Sequence, residues 1–326
     1  GGFAFYNNAD RIVHCVFVLK HIVLGFDINI FDMFHRMILF YKYYLIGIRC
    51  NSTNTNGTYN ILYAKITKVS IGRNNMKYGK AFFDQYLERR NTRCVKWDGC
   101  NEKFGVDPSV EMLPMWIADM DFRAPDEVVE ALVQRAQTGA YGYITKPDSF
   151  FQAIVDWIRR RYHWTAEKEW IVFTPGIVPG FNIAYQSFTK PGEGIIVQTP
   201  VYYPFMDCIH NNGRKMVENQ LIECDDGRWI MDFDLLEQQV KDPANKILIM
   251  ANPHNPTGRV WERWEIEQAM ELYKKYDVTV VSDEIWSDLI LAGNVHIPSQ
   301  TVSEDAAQRT VALYAPSKTF NLAGLI

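Results

Sequence analysis

The hydrophobic pattern of this 326-residue chain changes character along its length. From residue 170 onward, short runs rich in β-branched residues recur at 170–173, 195–198, 246–250, 278–281 and 311–313. These runs are close to continuously apolar rather than alternating, as in strands covered on both faces, and helical stretches such as 262–276 separate several of them. The expectation is an α/β fold with a mostly parallel central sheet and helices on both faces. Upstream the apolar period is helical. Phe82, Phe83, Tyr86 and Leu87 stand at helical spacing within 81–97. Pro125 reads as the first residue of a helix with Asp126 and Glu127 in its first turn, Val128, Val129, Leu132 and Val133 inward, and Gly139 at its end. A second amphipathic helix is expected over 150–162 on the stripe Phe151, Ile154, Val155 and Ile158. Between these helical regions 113–122 reads as extended, which would put Asp119 and Asp121 on one face.

Composition breaks the chain near residue 75. Residues 1–75 contain no Pro, Trp, Glu or Gln and are dominated by Ile, Asn, Phe, Tyr and Lys. A domain of that length needs helix-forming surface charge and turn residues, so the segment reads as a non-native or disordered leader, with Met76 opening an ordinary chain. Lys20, Asp27, Asp32, His35, Arg36 and Lys42 interrupt its apolar runs before any reaches the length needed to span a bilayer. The net charge of −4 and pI near 6.0 give no electrostatic case for nucleic acid or an anionic membrane. Six cysteines stand without a CxxC pair or histidines at zinc-finger distances. They read as reduced thiols of a cytoplasmic protein, with no metal site.

The residues directly after each apolar run carry the candidate chemistry. Thr174-Pro175-Gly176 stands after the first, Thr199-Pro200-Val201-Tyr202-Tyr203-Pro204 after the second and Asn252-Pro253-His254-Asn255-Pro256-Thr257-Gly258 after the third. Ser282-Asp283-Glu284 and Ala315-Pro316-Ser317-Lys318 stand after the last two. Ligands of open α/β sheets bind outside the carboxyl ends of the strands, so these clusters are expected to converge on one crevice. Lys318 stands just past an apolar run, where desolvation would let its amine attack a carbonyl. An aldehyde cofactor suited to amino-acid chemistry is pyridoxal 5'-phosphate. Asp283 could hold a proton on its ring nitrogen, Asn255 could donate to its phenolate, and Tyr202 could lie against its ring. Backbone N–H groups at Gly176 and Ile177, where a helix is expected to start, suit its phosphate. Each cluster also has a plain alternative: a Pro-braced turn at Asn255-Pro256-Thr257-Gly258, a helix cap at Asp283-Glu284, ordinary packing for Tyr202 and Tyr203. The glycine-rich phosphate loops GxGxxG and GxxxxGK[ST] are absent, as are GxSxG and HExxH.

Asn255-Pro256-Thr257-Gly258, Ser282-Asp283-Glu284-Ile285 and Ser317-Lys318-Thr319-Phe320-Asn321 resemble the aminotransferase class I/II fold, fold type I of the pyridoxal-phosphate enzymes. Trp116-Ile117-Ala118-Asp119-Met120-Asp121-Phe122, Tyr141-Gly142-Tyr143, Thr199-Pro200-Val201-Tyr202-Tyr203-Pro204-Phe205 and Lys318-Thr319-Phe320-Asn321-Leu322-Ala323-Gly324 resemble its MalY/PatB branch of cystathionine β-lyases. The resemblance runs unbroken over 76–326. It implies a homodimer with shared sites, Lys318 as the Schiff-base lysine and catalytic base, Asp283 as the pyridinium partner and Asn255 as the phenolate donor. Tyr202 would stack on the ring, Gly176 and Ile177 bind phosphate, and Tyr143 reach the neighbouring subunit's phosphate. Two positions depart from the branch. Trp286 stands where a histidine or tyrosine is common, and can donate only through its indole N–H. Ala315 stands where many relatives have a phosphate-binding serine, for which Ser317 substitutes in part. The implied organisation is a leader over 1–75, an N-terminal arm with part of the small domain over 76–124, and the large cofactor-binding domain over 125–326. The implied activity is β-elimination from cystathionine or a related S-substituted cysteine. Amino transfer on the same fold, or a non-catalytic role in binding a transcription activator, are the alternatives. The resemblance further implies a stretch beyond Ile326 that completes the small domain and holds the arginine for the substrate carboxylate. Residues 1–326 alone are therefore expected to bind the cofactor weakly or not at all and to lack turnover.

Overall fold

The computed structural model describes residues 14–18, 78–291 and 293–325, the first group by its backbone. The chain forms two compact units, Gly1–Phe26 with Ile154–Ile326, and Asp27–Ala153. Apart from residues 14–18, the leader expected over 1–75 lies outside the described residues.

The larger unit holds a seven-stranded sheet. Its strands are β1 (His14–Val18), β2 (Ile171–Thr174), β3 (Gly194–Thr199), β4 (Lys215–Gln220), β7 (Asn245–Ala251), β8 (Thr279–Asp283) and β9 (Thr310–Tyr314). Two short strands, β5 (Ile222–Glu223) and β6 (Trp229–Ile230), pair antiparallel outside it. The large sheet runs β2-β1-β9-β8-β7-β3-β4, and every pairing in it is parallel. All of the strands therefore end on the same edge. The five runs read from the sequence are β2, β3, β7, β8 and β9. The edge strand β4 is not among them, because Lys215-Met216-Val217-Glu218-Asn219-Gln220 mixes polar with apolar positions, as a strand paired on one side can.

Alternation along the strands sorts the core into two layers. Ile195, Val197, Ile247, Ile249, Val281, Val311 and Leu313 face the helices α3 (Ile177–Phe188) and α4 (Pro204–Asn211), meeting Phe181, Tyr185, Phe205 and Ile209. Ile196, Leu248, Met250 and Val280 face α5 (Phe233–Val240) and α6 (Arg263–Lys275), against Leu236, Val240, Ile266 and Tyr273. Each such aliphatic side chain removed from water stabilises the fold by about 1.5–3 kcal/mol. The expected helix over 262–276 is α6 with its two caps. Glu262 and Glu265 form a reciprocal capping box there, each carboxylate taking the other's backbone N–H. Asp283 continues the Val281 face toward α3 and α4, while Ser282 shares the opposite face with Val280.

Residues 78–162 correct several expectations. The helical spacing over 81–97 yields a helix only at Lys80–Phe83 and another at Val95–Asp98. Asn91 and Arg93 between them hold positive φ of 61° and 64°, which a continuing helix excludes. The stretch 113–122 forms no strand; its two aspartates converge on a guanidinium instead. Arg89 donates to Asp119 Oδ1 and Oδ2 at 2.9 and 2.7 Å and to Asp121 Oδ1 at 3.0 Å. Lys96 and Trp97 donate to Asp121 at 2.5 and 2.8 Å. Both carboxylates are thus satisfied by structural partners. The helix α1 (Asp126–Gln137) starts one residue later than expected, with Pro125 at its N-cap. Val133 is 49% exposed, because the buried stripe runs through Val128 and Ala131, at i and i+3. The helix α2 (Asp148–Tyr162) begins two residues before the expected 150.

Candidate active site

The shared edge brings three of the five strand-end clusters into direct contact, and ties the third of these to β9, which leads into the Lys318 cluster. The Tyr202 amide, past β3, donates to the Asn255 carbonyl, past β7, at 3.0 Å. The Asn252 amide donates to the Asp283 carbonyl at 2.9 Å, and the Glu284 amide to the Leu313 carbonyl at 2.9 Å. Lys318 lies in a one-turn helix, α7 (Pro316–Thr319), which begins two residues after β9. Its Nζ stands 5.7 Å from the centre of the Trp286 ring. Trp286 also lines an open cleft of about 270 Å³ with Asn255, Pro256, Leu289 and Asn294.

Asp283 is 8% exposed, and its Oδ1 accepts the Ile285 amide at 3.1 Å. Burial pushes its carboxyl up to about 7; that amide and the Lys318 charge pull it down, and Glu284 adds to the rise. A buried carboxylate poised near neutrality is completed by a cationic donor. Lys318 lies within its electrostatic reach, and a carboxylate can accept a further, ring-nitrogen donor beside the Ile285 amide. Tyr202 is half-buried; burial first, then Tyr203 and Asp283, raise its phenol, so it stays protonated.

Gly176 caps α3 at φ 115°, a backbone setting that favours glycine. No side chain caps this helix and its first turn holds no acid, so its amides present partial positive charge. Ile177 belongs to the same apolar cluster as Val201 and Ala315, past the ends of β3 and β9. Ser317 is 2% exposed, and its hydroxyl has no hydrogen-bond partner among the described residues. An orphaned buried hydroxyl directly before Lys318 is what a phosphate oxygen would satisfy. Tyr143 belongs to the other unit and is fully exposed.

The turn after β7 is built to hold Asn255. Burial, followed by the Arg259 charge, lowers His254 to about 4, so its ring is neutral. Its Nε2 lies 3.4 Å from the Gln198 carbonyl and its Nδ1 2.9 Å from Thr257 Oγ1. The neutral ring therefore carries its proton on Nε2 and accepts the Thr257 hydroxyl at Nδ1. Gly258 closes the turn at φ 72°.

Sequence reasoning missed the support behind Asp283. Glu284 does not cap a helix, since the residues after it form turns. It is wholly buried, and its two oxygens take Ser282 Oγ (3.0 Å), the Ser299 amide (2.9 Å), Tyr314 OH (3.0 Å) and His296 Nε2 (2.6 Å). The adjacent acids thus face opposite sides of the sheet. Asp288, Tyr162 and Thr319 were missed as well; their partners are far apart in sequence, and no local pattern marks them.

The aminotransferase class I and II family model matches residues 111–325. The chain is 46% identical to cystathionine beta-lyase PatB of Bacillus subtilis (strain 168) over 74% of its own length and 62% of the relative's. It is 32% identical to protein MalY of Escherichia coli (strain K12), over 74% and 61%. Cystalysin from Treponema denticola, whose crystal structure contains a pyridoxal 5'-phosphate cofactor, superposes with a TM-score of 0.71 at 38% identity. That match covers 74% of this chain and 61% of cystalysin. The chain thus spans about three fifths of the length of these relatives. It belongs to the aminotransferase class I and II family.

Proposed function

We propose that the whole protein is a pyridoxal-phosphate-dependent C–S β-lyase that cleaves cystathionine or a related S-substituted cysteine. The observation that carries this reading is that Lys318, just past β9, lies within electrostatic reach of the buried Asp283 at the end of the adjacent parallel strand β8. Identity of 46% to a cystathionine beta-lyase supports the choice of reaction. The residues present fit the cofactor: an orphaned Ser317 hydroxyl, an open helix N-terminus at Gly176 and a buried carboxyl suited to a cationic partner.

When bound, pyridoxal phosphate supplies an electrophilic carbon and a protonated ring that accepts the electron pair left at a substrate's Cα. Lys318 Nζ would hold the cofactor and would act as the general base for the substrate's Cα proton. Asp283 would keep the ring nitrogen protonated. The Asn255 amide and the Trp286 indole N–H would serve the ring oxygen, and Tyr202 would cover the ring. The Gly176 and Ile177 amides would hold the phosphate with the Ser317 hydroxyl, and Tyr143 would serve the partner subunit's phosphate in a homodimer. Loss of the thiolate from Cβ, followed by hydrolysis of the resulting enamine by water, would give thiol, pyruvate and ammonia. A cytoplasmic setting agrees with the free Cys94, Cys100, Cys208 and Cys224. No helix among the described residues is long and apolar enough to cross a membrane.

The test is pyruvate release from cystathionine by the whole protein. Lys318→Ala should lower the rate by at least about a hundredfold, the share of a positioned general base. Amino transfer to a keto acid without thiol release would select the aminotransferase reading, and no pyruvate from any S-substituted cysteine would sink the lyase.

A further inference from the structure

Three features of one short segment face the Lys318 turn. Asp283 and Trp286 have been described; the third, Asp288, is a hub. Its side chain is 8% exposed. Oδ1 accepts from Tyr162 OH at 2.7 Å and from Arg161 Nε at 3.0 Å. Oδ2 accepts from Trp157 Nε1 at 3.1 Å and from Thr319 Oγ1 at 3.0 Å. Three of these donors come from α2 and the fourth from α7, one residue past Lys318. Trp157 also packs edge-on against Phe320, ring centres 5.5 Å apart.

The donor set explains why the hub is a carboxylate. The indole N–H and the guanidinium can only donate, so the residue they meet must accept. Burial, then the Asp288 charge, raises the Tyr162 phenol far above its usual range, so it too keeps its proton. That proton goes to Asp288, and Ser287 Oγ, 2.7 Å from the same phenol, must then be the donor to Tyr162. Two carboxylate oxygens accept two donors each. An asparagine would offer one oxygen and set an NH₂ group against the other pair of donors.

We propose that Asp288 is a positioning residue: through Thr319 it clamps the turn carrying Lys318 to α2 and to the segment that leaves β8, fixing the lysine amine at the Asp283 end of the sheet. This rests on the pyridoxal-phosphate reading only for what the held amine does. The clamp is a property of the chain itself. It predicts that a bound cofactor's link to Lys318 depends on a hydroxyl that touches neither cofactor nor substrate.

The experiment compares Thr319→Val, which removes the hydroxyl at nearly constant shape, with Thr319→Ser, which restores it, and with Asp288→Asn. Amide hydrogen exchange is read without cofactor at Phe320 and Leu322, whose N–H groups bond to the Pro316 and Ser317 carbonyls at 3.0 and 2.9 Å. Loss of a hydrogen bond to a charged acceptor should speed exchange there about tenfold or more in Thr319→Val and Asp288→Asn. The amides of β8 should be unchanged, and Thr319→Ser should match the unsubstituted chain. In parallel, pyridoxal phosphate is added to the whole protein and reduced with borohydride over a pH series, and the adduct on Lys318 is quantified by peptide mass. Its pH midpoint should move in Thr319→Val and return in Thr319→Ser, which a general loss of stability would not produce. Unchanged exchange at Phe320 and Leu322 in Thr319→Val overturns the proposal, as does a serine variant that behaves like valine. Absence of any Lys318 adduct in the unsubstituted whole protein overturns the cofactor reading, while exchange still decides the clamp.

Discussion

A carboxylate walled in at the end of a buried strand loses the water that would stabilise its charge. Asp283 is in that position, raised by burial to about 7 from an ordinary value of 3.8. The sign of its contribution is set by linkage. Between about pH 4 and 7 the folded, cofactor-free chain keeps a proton that the unfolded chain has released, so this group's stability is complete below that window and lost as pH rises through 7. Asp283→Asn removes the loss. Relative to the unsubstituted protein, the variant should gain about 2–3 kcal/mol between pH 5 and pH 8 in urea unfolding without cofactor. A flat or opposite difference would show that the carboxylate is not desolvated. His254, lowered to about 4, works the other way: its stability is lost as pH falls from its unfolded value through 4. The difference between variant and parent therefore isolates Asp283 where the raw slope would not. Lys318 and Asp283 were legible in the sequence because an amine and a carboxylate placed just past apolar runs are chemically conspicuous. Asp288 was not, since its donors Trp157 and Arg161 lie 131 and 127 positions away.

At the scale of elements, the turn after β7 and the helix beyond it act as one piece. Arg259, its side chain 15% exposed, pairs with Glu265, 1% exposed, while its guanidinium lies over the Trp261 ring at 5.1 Å. Glu265 Oε2 also accepts the Glu262 amide at 2.8 Å, so one carboxylate joins the turn to the start of α6. Glu265→Ala leaves the Arg259 charge uncompensated and should cost about 3 kcal/mol or more. Glu262→Ala, at the more accessible cap, should cost about 1 kcal/mol. Urea unfolding of the two variants checks the ratio; equal losses would mean the turn and helix are not joined through Glu265. The helix and the turn were each readable from their periodicity and their Asn-Pro-Thr-Gly chemistry. The coupling between them was not, because a buried Glu in a first turn looks in sequence like any cap.

The whole molecule is organised by strands covered on both faces. The continuous apolar runs announced a parallel sheet, and parallel pairing throughout the seven-stranded sheet places its strand ends on one edge. That geometry makes scattered motifs into neighbours: Tyr202 bonds to Asn255, and the segments of Asn252, Asp283 and Leu313 link in series across β7, β8 and β9. The patterns did not carry the polar edge strand β4, nor the irregular path over 84–94, where two positive-φ residues interrupt a helical spacing. Periodicity reports which face is buried, and neither segment buries a regular face. The central claim is that this edge holds pyridoxal phosphate on Lys318. Its most direct test is to incubate the whole protein with excess cofactor, reduce with borohydride and map the adduct by peptide mass. The account predicts a single stoichiometric adduct on Lys318 that Asp283→Ala sharply reduces. Labelling spread over surface lysines, with Lys318 unmodified, would contradict it.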